Sequence, residues 1–349
     1  MKNKINKIAI IADQNVLQLF PYYLDKLYVD IPKFVISVLP GEQNKNIDEV
    51  VYLWQNLQEQ HIDKKSLIIN FGGGKVSDLG GFVASTYQRG IPFINIPTTL
   101  LGMIDAAIGG KNGINLNSVK NVVGTIYLPE KVIVDIQFLR TLSPAQLLDG
   151  FGEMIKYALI GNSALWNELK KMENIYAKDI KKEWIDSCIA FKNKIVQKDL
   201  YDQELRHILN FGHTIGHAFE AYYMKTPLSG EFSSAQTISH GHAVALGIIA
   251  ESYLSFRHNL LPQSTYEEIR NFILKLYQNT LKNISISEIN DIVQLCLLDK
   301  KNIDGRINIT MLETIGKASP NHWVCEEECE EAIRNLKDGE TGRRYRITE

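Results

Sequence analysis

The strongest constraint on the fold of this chain is the alternation of short β-rich runs with amphipathic stretches over roughly its first 140 residues. Residues 46–62, between the second and third runs, place apolar side chains at helical spacing. Strand–helix–strand alternation predicts a doubly wound, mostly parallel sheet of the Rossmann-like type. The five runs with the length and β-branched content of strands are 7–13, 33–39, 66–74, 93–99 and 131–136.

The pattern changes at about residue 143. A Ser-Pro-Ala-Gln helix-start signal opens a series of long helical patterns that run almost to the end of the chain. Residues 224–239 interrupt them with a polar, loop-like insert. We therefore predict an α/β domain at residues 1–142 and an all-α domain at residues 143–349.

The composition is that of an ordinary globular protein, with 45% hydrophobic and 22% charged residues and a net charge of −2. That balance gives no reason to expect nucleic acid or an anionic membrane as a partner. No apolar run approaches the roughly 18 residues of a membrane-spanning helix, and the apolar part of the N-terminal stretch is too short for a signal peptide. Four cysteines without a CxxC pair make no disulfide framework. We expect a cytoplasmic protein.

The third β-rich run ends in three glycines and leads into a helical pattern. Glycines at this place let the backbone approach a phosphate, and the helix that follows offers free N–H groups. The spacing fits neither the dinucleotide fingerprint nor the Walker loop, so a plain tight turn is the alternative. Asp13, at the end of the first run, stands where α/β folds often hold a ribose hydroxyl.

Two histidines lie four residues apart in the second half, so His213 and His217 would share one helix face. In the zinc-protease motif a glutamate follows the first histidine directly, and here that residue is Thr214. A carboxylate such as Glu153, together with two imidazoles, would leave an open coordination position at a metal. Spacing alone makes His217 a fourth candidate ligand. It does not decide whether His240 or His242 is the ligand near the start of the later helix. Taken singly, each histidine is explained as a hydrogen-bonded helix residue.

Cations are frequent in the segments around these histidines. Lys111 and Lys156 have glycine or apolar neighbours, which predicts that both are at least partly buried. A buried cation needs an anionic partner, and a phosphorylated, carboxylated substrate would supply it. Helical spacing further predicts that Arg206, Asn210 and His213 project from one side of a single segment. The cations concerned are Arg89, Lys111, Lys120, Lys156, Lys192, Arg206 and Lys300.

These segments, taken together, resemble the 3-dehydroquinate synthases of the sugar-phosphate cyclase superfamily. The similarity extends over nearly the whole chain, and the order and spacing of the segments match as well. The segments are GGGKVSDLGGFVASTYQRG, IPTTLLGMIDAAIGGKNG, VKNVVGTIY, FLRTLSP, GFGEMIKYALI, RHILNFGHTIGHAFE, HGHAVALG and LDKKN.

The resemblance implies an NAD-binding first domain and a second domain that binds one divalent metal, Zn²⁺ or Co²⁺, and the substrate. The implied metal ligands are Glu153, His213 and His240, which assigns His217 to substrate and proton handling. The implied NAD contacts are Asp13, Glu42, Lys45, Gly73, Gly74, Asp78, Thr98, Thr99, Lys120, Phe138 and Thr141. The implied substrate contacts are Arg89, Asp105, Lys111, Asn121, Lys156, Lys192, Arg206, Asn210, His217 and Lys300.

The implied activity is that of a carbon–oxygen lyase in the shikimate pathway. It converts 3-deoxy-D-arabino-heptulosonate 7-phosphate to 3-dehydroquinate and phosphate, while NAD takes up a hydride and returns it. A homodimer is also expected. The chain departs from the family pattern at Lys75, Ser77, Asn112, Asp202, Glu204 and His242.

Related enzymes are the main alternatives. Aminodehydroquinate and 2-deoxy-scyllo-inosose synthases share the chemistry, but the inosose enzymes tend to lose the pair kept here as Arg206 and Asn210. Valiolone synthases lack the second histidine of GHTIGH. A metal- and NAD-dependent polyol dehydrogenase would not need the cation cluster, and a homologue without activity would be expected to have lost metal ligands.

Overall fold

The structure is a computed structural model, and it describes residues 5–117, 119–225, 238–277, 286–298, 302 and 305–336. The chain divides into two compact units. The first unit consists of Met1–Gly150 and Tyr176–Tyr201. The second consists of Phe151–Ile175 and Asp202–Glu349.

A five-stranded parallel sheet is the centre of the first unit, with strand order β2-β1-β3-β4-β7. Each of the five runs predicted as strands forms one of these strands, and every pairing in the sheet is parallel. The predicted Rossmann-like sheet is therefore confirmed. The strands of this unit are β1 Ile8–Asp13, β2 Lys33–Val38, β3 Leu67–Gly72, β4 Phe93–Pro97, β5 Lys111–Leu116, β6 Val119–Ile126 and β7 Lys131–Val132.

The helices of the first unit have recognisable starts. Asn46 caps the second helix by accepting a hydrogen bond from the Glu49 N–H at 3.1 Å, and Val50, Leu53 and Leu57 of that helix are buried. The helix predicted from apolar spacing is thus present. Because β1 and β3 lie inside the sheet, almost all of their residues are buried. The helices are α1 Gln14–Leu19, α2 Ile47–Glu59, α3 Gly74–Thr86 and α6 Lys182–Lys198.

An antiparallel hairpin, β5–β6, follows the fourth sheet strand and was not predicted. Its two strands are joined at Asn117, whose φ is 48°, and Asn121, whose φ is 52°, lies in the part of β6 where the pairing with β5 is irregular. Asparagine tolerates this left-handed conformation better than most residues. The hairpin was missed because polar residues and glycines interrupt the β-branched pattern on which strand prediction depends.

The second unit is mainly helical, as predicted, but it also contains a hairpin. Strands β8 Ile307–Thr314 and β9 Lys317–Val324 are antiparallel and joined by Ile315 and Gly316. Gly316 has a φ of 89°, a conformation that glycine adopts without steric cost. The all-α description is therefore corrected by one hairpin. The helices are α4 Pro144–Gly161, α5 Ser163–Leu169, α7 His213–Lys225, α8 His240–Arg257, α9 Gln263–Leu276, α10 Ile286–Leu297 and α11 Glu326–Asn335.

No helix among the described residues is long and apolar enough to cross a membrane. Most of the polar insert predicted at residues 224–239 lies outside the described residues.

Glycines bring the backbones of α7 and α8 into direct contact. A Cβ atom on Gly247 would lie 2.0 Å from the Gly212 carbonyl oxygen and 2.7 Å from the Gly216 nitrogen. A Cβ atom on Gly216 would lie 2.8 Å from the Ala243 carbonyl oxygen. The start of α7 is held by Glu251 of α8, a fully buried carboxylate that accepts the Gly212 N–H at 2.7 Å. The relative position of the two helices therefore depends on residues without side chains.

We expect Gly247→Ala to destabilise the protein by roughly 1–3 kcal/mol, because the added methyl group has no space. In an exposed helix the same change stabilises by about 1 kcal/mol, so the sign of the effect is informative. The free energy of unfolding in denaturant measures it. Asn271→Ala, at an exposed position of α9, is the control and should change little. A Gly247→Ala variant as stable as the parent would contradict the close contact.

Candidate active site

Glu153 is a fully buried carboxylate in the middle of α4. The neighbouring Gly152 allows α4 to approach the start of α8, because a Cβ atom there would lie 2.3 Å from the Gly241 carbonyl oxygen. This contact brings Glu153 next to His240, the first residue of α8. The His240 Nε2 atom lies 3.3 Å from the Glu153 Oε1 atom.

His213, the first residue of α7, completes the group. Its Nε2 atom is 3.2 Å from the same Oε1 atom of Glu153. The rings of His213 and His217 are 5.2 Å apart, so the two residues share a helix face as the four-residue spacing predicted. His242 points elsewhere: its Nδ1 lies 2.8 Å from the Ser239 hydroxyl, and its ring packs against Tyr277. The structure therefore places His240, and not His242, beside Glu153.

The donor set of this cluster fits a divalent metal ion. One ligand atom from each of Glu153, His213 and His240 lies within 4.8 Å of the other two. One carboxylate and two imidazoles are a combination found at catalytic zinc sites. Both oxygens of Glu153 are buried and lack a hydrogen bond of good geometry among the described residues. A cation bound between the histidines would satisfy Oε1, whereas Oε2 already faces the Lys156 ammonium at 2.5 Å.

The charges in the cluster keep two of the candidate ligands, Glu153 and His213, in the forms that bind a metal ion, and they hold a proton on the third, His240. Burial by itself raises the pKa of Glu153, but the Lys156 ammonium and His213 outweigh it and hold that pKa well below its usual value. Burial and the Lys156 ammonium lower the pKa of His213, which keeps it in the neutral form that ligates metals. Burial also opposes protonation of His240, but Glu153 and Glu220 outweigh it and raise the pKa of His240 well above its usual value. A metal ion would therefore displace a proton from His240.

The burial predicted for two lysines is confirmed for one of them. Lys156 is buried, and its Nζ lies 2.5 Å from the Glu153 Oε2 atom. Lys111 is exposed at the first position of β5. The prediction for Lys111 was wrong because its glycine neighbours shape the backbone instead of covering the side chain; Gly109 and Gly110 both have positive φ.

Arg206 and Asn210 do not continue into the helix that carries His213. Arg206 is buried in a short 3-10 helix, Leu205–Asn210, and α7 begins only at His213. Between the two helices lies Gly212, with a φ of 76°, packed against Ile248 and the Val244 carbonyl oxygen. The prediction of one continuous segment is therefore wrong. The helical spacing is present, but a glycine turn breaks the helix.

Several predicted NAD contacts gather at the carboxyl ends of β1, β3 and β4. Gly73 caps α3 directly after β3, and a Cβ atom on it would lie 3.0 Å from the Thr99 side chain. The Thr98 N–H donates to the Gly72 carbonyl at 2.9 Å. This edge of a parallel sheet is where α/β folds bind nucleotides. The predicted contacts at this edge are Asp13, Gly73, Gly74, Thr98 and Thr99.

A second group in the first unit centres on Lys45. This buried ammonium lies 2.5 Å from the Asp78 carboxylate, 2.5 Å from the Asn121 side-chain oxygen and 3.7 Å from the Glu42 carboxylate. Burial by itself lowers the pKa of Lys45, but Asp78 and Glu42 outweigh it and raise that pKa. The structure thus joins three predicted NAD contacts to Asn121, a predicted substrate contact.

The other predicted residues of the first unit differ in exposure. Lys192 pairs with Asp105, with 2.5 Å between Nζ and Oδ1. The Phe138 ring is buried against Phe20, Tyr23 and Phe71, so a contact with a cofactor would have to use its backbone. Arg89 and Thr141 are exposed, and Lys120 is half-buried. Lys300, the last predicted substrate contact, lies outside the described residues.

The sequence interpretation missed Glu220. Its Oε2 atom lies 3.5 Å from the His240 Nδ1 atom, and the residue is buried. The available signal was its position three residues after His217, on the same face of α7 as the two histidines.

Comparison with known proteins identifies the family. The model described as 3-dehydroquinate synthase N-terminal matches residues 35–149, and the model described as 3-dehydroquinate synthase C-terminal matches residues 150–302. The chain belongs to the 3-dehydroquinate synthase family. A relative named 3-dehydroquinate synthase, from Parabacteroides distasonis, is 36% identical over 340 residues, which cover 95% of this chain and 91% of the relative. The resemblance noted from the sequence is confirmed.

Solved structures agree with the fold. A 2-deoxy-scyllo-inosose synthase complexed with carbaglucose-6-phosphate, NAD⁺ and Co²⁺ is similar with a TM-score of 0.81 and 25% identity, covering 96% of this chain and 91% of that one. A 2-epi-5-epi-valiolone synthase from Streptomyces hygroscopicus with bound NAD⁺ and Zn²⁺ has the same TM-score, coverage of 96% and 91%, and 24% identity. At 24% identity, the similarity to the valiolone synthase structure supports the fold alone.

We expect His213→Ala and His240→Ala to abolish metal binding, because each removes one of three clustered ligand atoms. His217→Ala should keep the metal, because its ring is not part of the group around Glu153. Metal content of the purified variants, measured by elemental analysis, tests this. If His217→Ala loses as much metal as His213→Ala, the site has four protein ligands and our assignment is wrong.

Proposed function

We propose that this protein acts as a 3-dehydroquinate synthase. It converts 3-deoxy-D-arabino-heptulosonate 7-phosphate to 3-dehydroquinate and phosphate, as a carbon–oxygen lyase of the shikimate pathway leading to chorismate and the aromatic amino acids. The observation that carries the proposal is the buried cluster of Glu153, His213 and His240, with Lys156 against it, in a chain of this family.

The proposed cofactors are NAD and one divalent metal ion, Zn²⁺ or Co²⁺. When bound, NAD would take up a hydride from a substrate carbinol carbon and later return it, and the metal ion would polarise the oxygen on that carbon. The first unit would hold NAD through the carboxyl edge of its sheet, where Gly73 leaves room for a phosphate and the start of α3 offers N–H groups. Lys45 would orient Asp78 and Glu42 for the rest of the cofactor.

The charges of the second unit support an anionic substrate. With a divalent ion bound, the ion and Lys156 contribute three positive charges, whereas Glu153 and Glu220 contribute two negative ones. Arg206 is a further buried cation of this unit. A net positive charge in a buried site favours a ligand with negative groups. A substrate that carries both a phosphate and a carboxylate meets this requirement.

His217 has the position expected of a residue that moves protons. It is exposed, unlike His213, and its ring centre lies 6.0 Å from that of His240. An imidazole can accept and donate protons near neutral pH. We propose that His217 exchanges a proton with the substrate, and that Lys156 and Arg206 hold its anionic groups.

The proposal includes a homodimer in the cytoplasm. Its structural support is the β6 strand, on which Val119, Val122, Val123 and Ile126 are exposed. Neighbouring exposed apolar side chains often mark a protein interface. Sedimentation analysis of the purified protein measures its oligomeric state.

We expect one phosphate released per substrate consumed without accumulation of NADH, because the proposed reaction uses the same NAD to oxidise and to re-reduce. Phosphate is measured by a colorimetric assay and NADH by its absorbance. One NADH formed per substrate would identify a polyol dehydrogenase and contradict the proposal.

We expect Arg206→Lys to lower kcat/KM for the heptulosonate phosphate by more than about tenfold, or about 1.4 kcal/mol. The planar guanidinium can bind a carboxylate or phosphate at two points, and an ammonium cannot. Arg257→Lys, at a surface arginine paired with Glu331, is the matched control and should have little effect. If the parent protein turns over glucose 6-phosphate with comparable efficiency, the substrate carries no carboxylate and an inosose-type activity replaces our proposal.

A further inference from the structure

The two ring nitrogens of His240 face two different carboxylates. The Nε2 atom lies 3.3 Å from Glu153 Oε1, on the side of the candidate metal centre. The Nδ1 atom lies 3.5 Å from Glu220 Oε2. Glu220 is buried, with 6% of its surface exposed, so its charge is not screened by bulk water. His240 is thus placed between one carboxylate of the metal centre and one outside it.

A histidine that ligates a metal through one nitrogen carries a proton on the other. A carboxylate that accepts this proton in a hydrogen bond selects the tautomer and fixes the plane of the ring. It also makes the ligating nitrogen more basic. Glu220 is the carboxylate in contact with the Nδ1 side of His240, and this nitrogen faces away from Glu153 Oε1.

The packing of α7 against α8 holds this contact. Glu220 is on α7 and His240 begins α8, and the two backbones touch where Gly216 lies against Ala243. The same helix, α7, carries His213 at its first position. One rigid helix therefore supplies a candidate ligand and, two turns later, the carboxylate that faces the other candidate histidine.

We propose that Glu220 is a positioning residue of the metal centre, which accepts the Nδ1–H of His240 and thereby holds Nε2 toward the metal ion. This inference rests on the metal centre proposed above. It assigns Glu220 no contact with the metal.

A different role for Glu220 is as a direct ligand. Ligand atoms of His217, Glu220 and His240 also lie within 4.8 Å of one another. Ions at both groups would have to share the His240 ring, which places two divalent charges on one imidazole. The positioning role needs no such sharing, and the number of bound ions distinguishes the two roles.

The test uses the cobalt-loaded protein. We expect Glu220→Gln, which keeps the shape of the side chain and removes its charge, to lower the affinity for Co²⁺ by about 10–100-fold, as measured by competition with a chelator. Glu220→Ala should lower it at least as far. The visible absorption spectrum of the bound Co²⁺ should change in both variants, because the ring of His240 is no longer fixed. The Tm of the metal-free Glu220→Gln variant should remain close to that of the metal-free parent.

Glu267→Gln, at an exposed position of α9, is the matched control and should bind Co²⁺ like the parent. An unchanged affinity and spectrum in Glu220→Gln would overturn the positioning role of Glu220. The proposed metal centre would still stand in that case if His240→Ala loses the metal. Retention of the metal by His240→Ala would instead overturn the metal centre itself. Two ions per chain in the parent and one in Glu220→Gln would make Glu220 a ligand and overturn its positioning role.

Discussion

The second unit depends on the burial of one carboxylate. An ionised glutamate removed from water costs several kcal/mol unless cations or hydrogen-bond donors replace the solvent. Glu153 is fully buried, and the groups around it are nitrogen atoms of Lys156, His213 and His240. These contacts require three helices, α4, α7 and α8, to meet at one point. The meeting of those helices compensates this charge.

Glycines make that meeting possible. Gly152 lets α4 reach the start of α8, and Gly216 and Gly247 let α7 and α8 touch along their backbones. A glycine inside a helix costs roughly 1 kcal/mol relative to alanine, so its presence at three such contacts is explained by the closeness of the backbones. Glu251 adds to this arrangement by binding the Gly212 N–H at the start of α7. The short distances between ligand atoms are thus a consequence of backbone contact.

The features that the sequence predicted are those determined by local pattern. The inner sheet strands β1 and β3 are apolar-rich runs, because a strand inside a parallel sheet is buried on both faces, and α2 has its apolar residues at helical spacing. The shared face of His213 and His217 likewise follows from helix geometry. The β5–β6 hairpin was missed because its sequence lacks a continuous β-branched pattern. The break at Gly212 and the position of Glu220 beside His240 were missed because both depend on the packing of α7 against α8. Thus the pattern indicated which residues were candidates, and tertiary packing determined which atoms met.

The two oxygens of Glu153 have different partners, which bears on how the site would hold a cation. Oε1 faces the Nε2 atoms of His213 and His240, whereas Oε2 faces the Lys156 ammonium at 2.5 Å. Because the candidate ligand nitrogens gather at Oε1, we expect that oxygen to bind the metal, with Lys156 remaining on Oε2. The ion pair with Lys156 would oppose binding of the carboxylate through both oxygens. A lysine that compensates a buried charge in the metal-free protein would in this way also keep the metal centre open to a substrate oxygen.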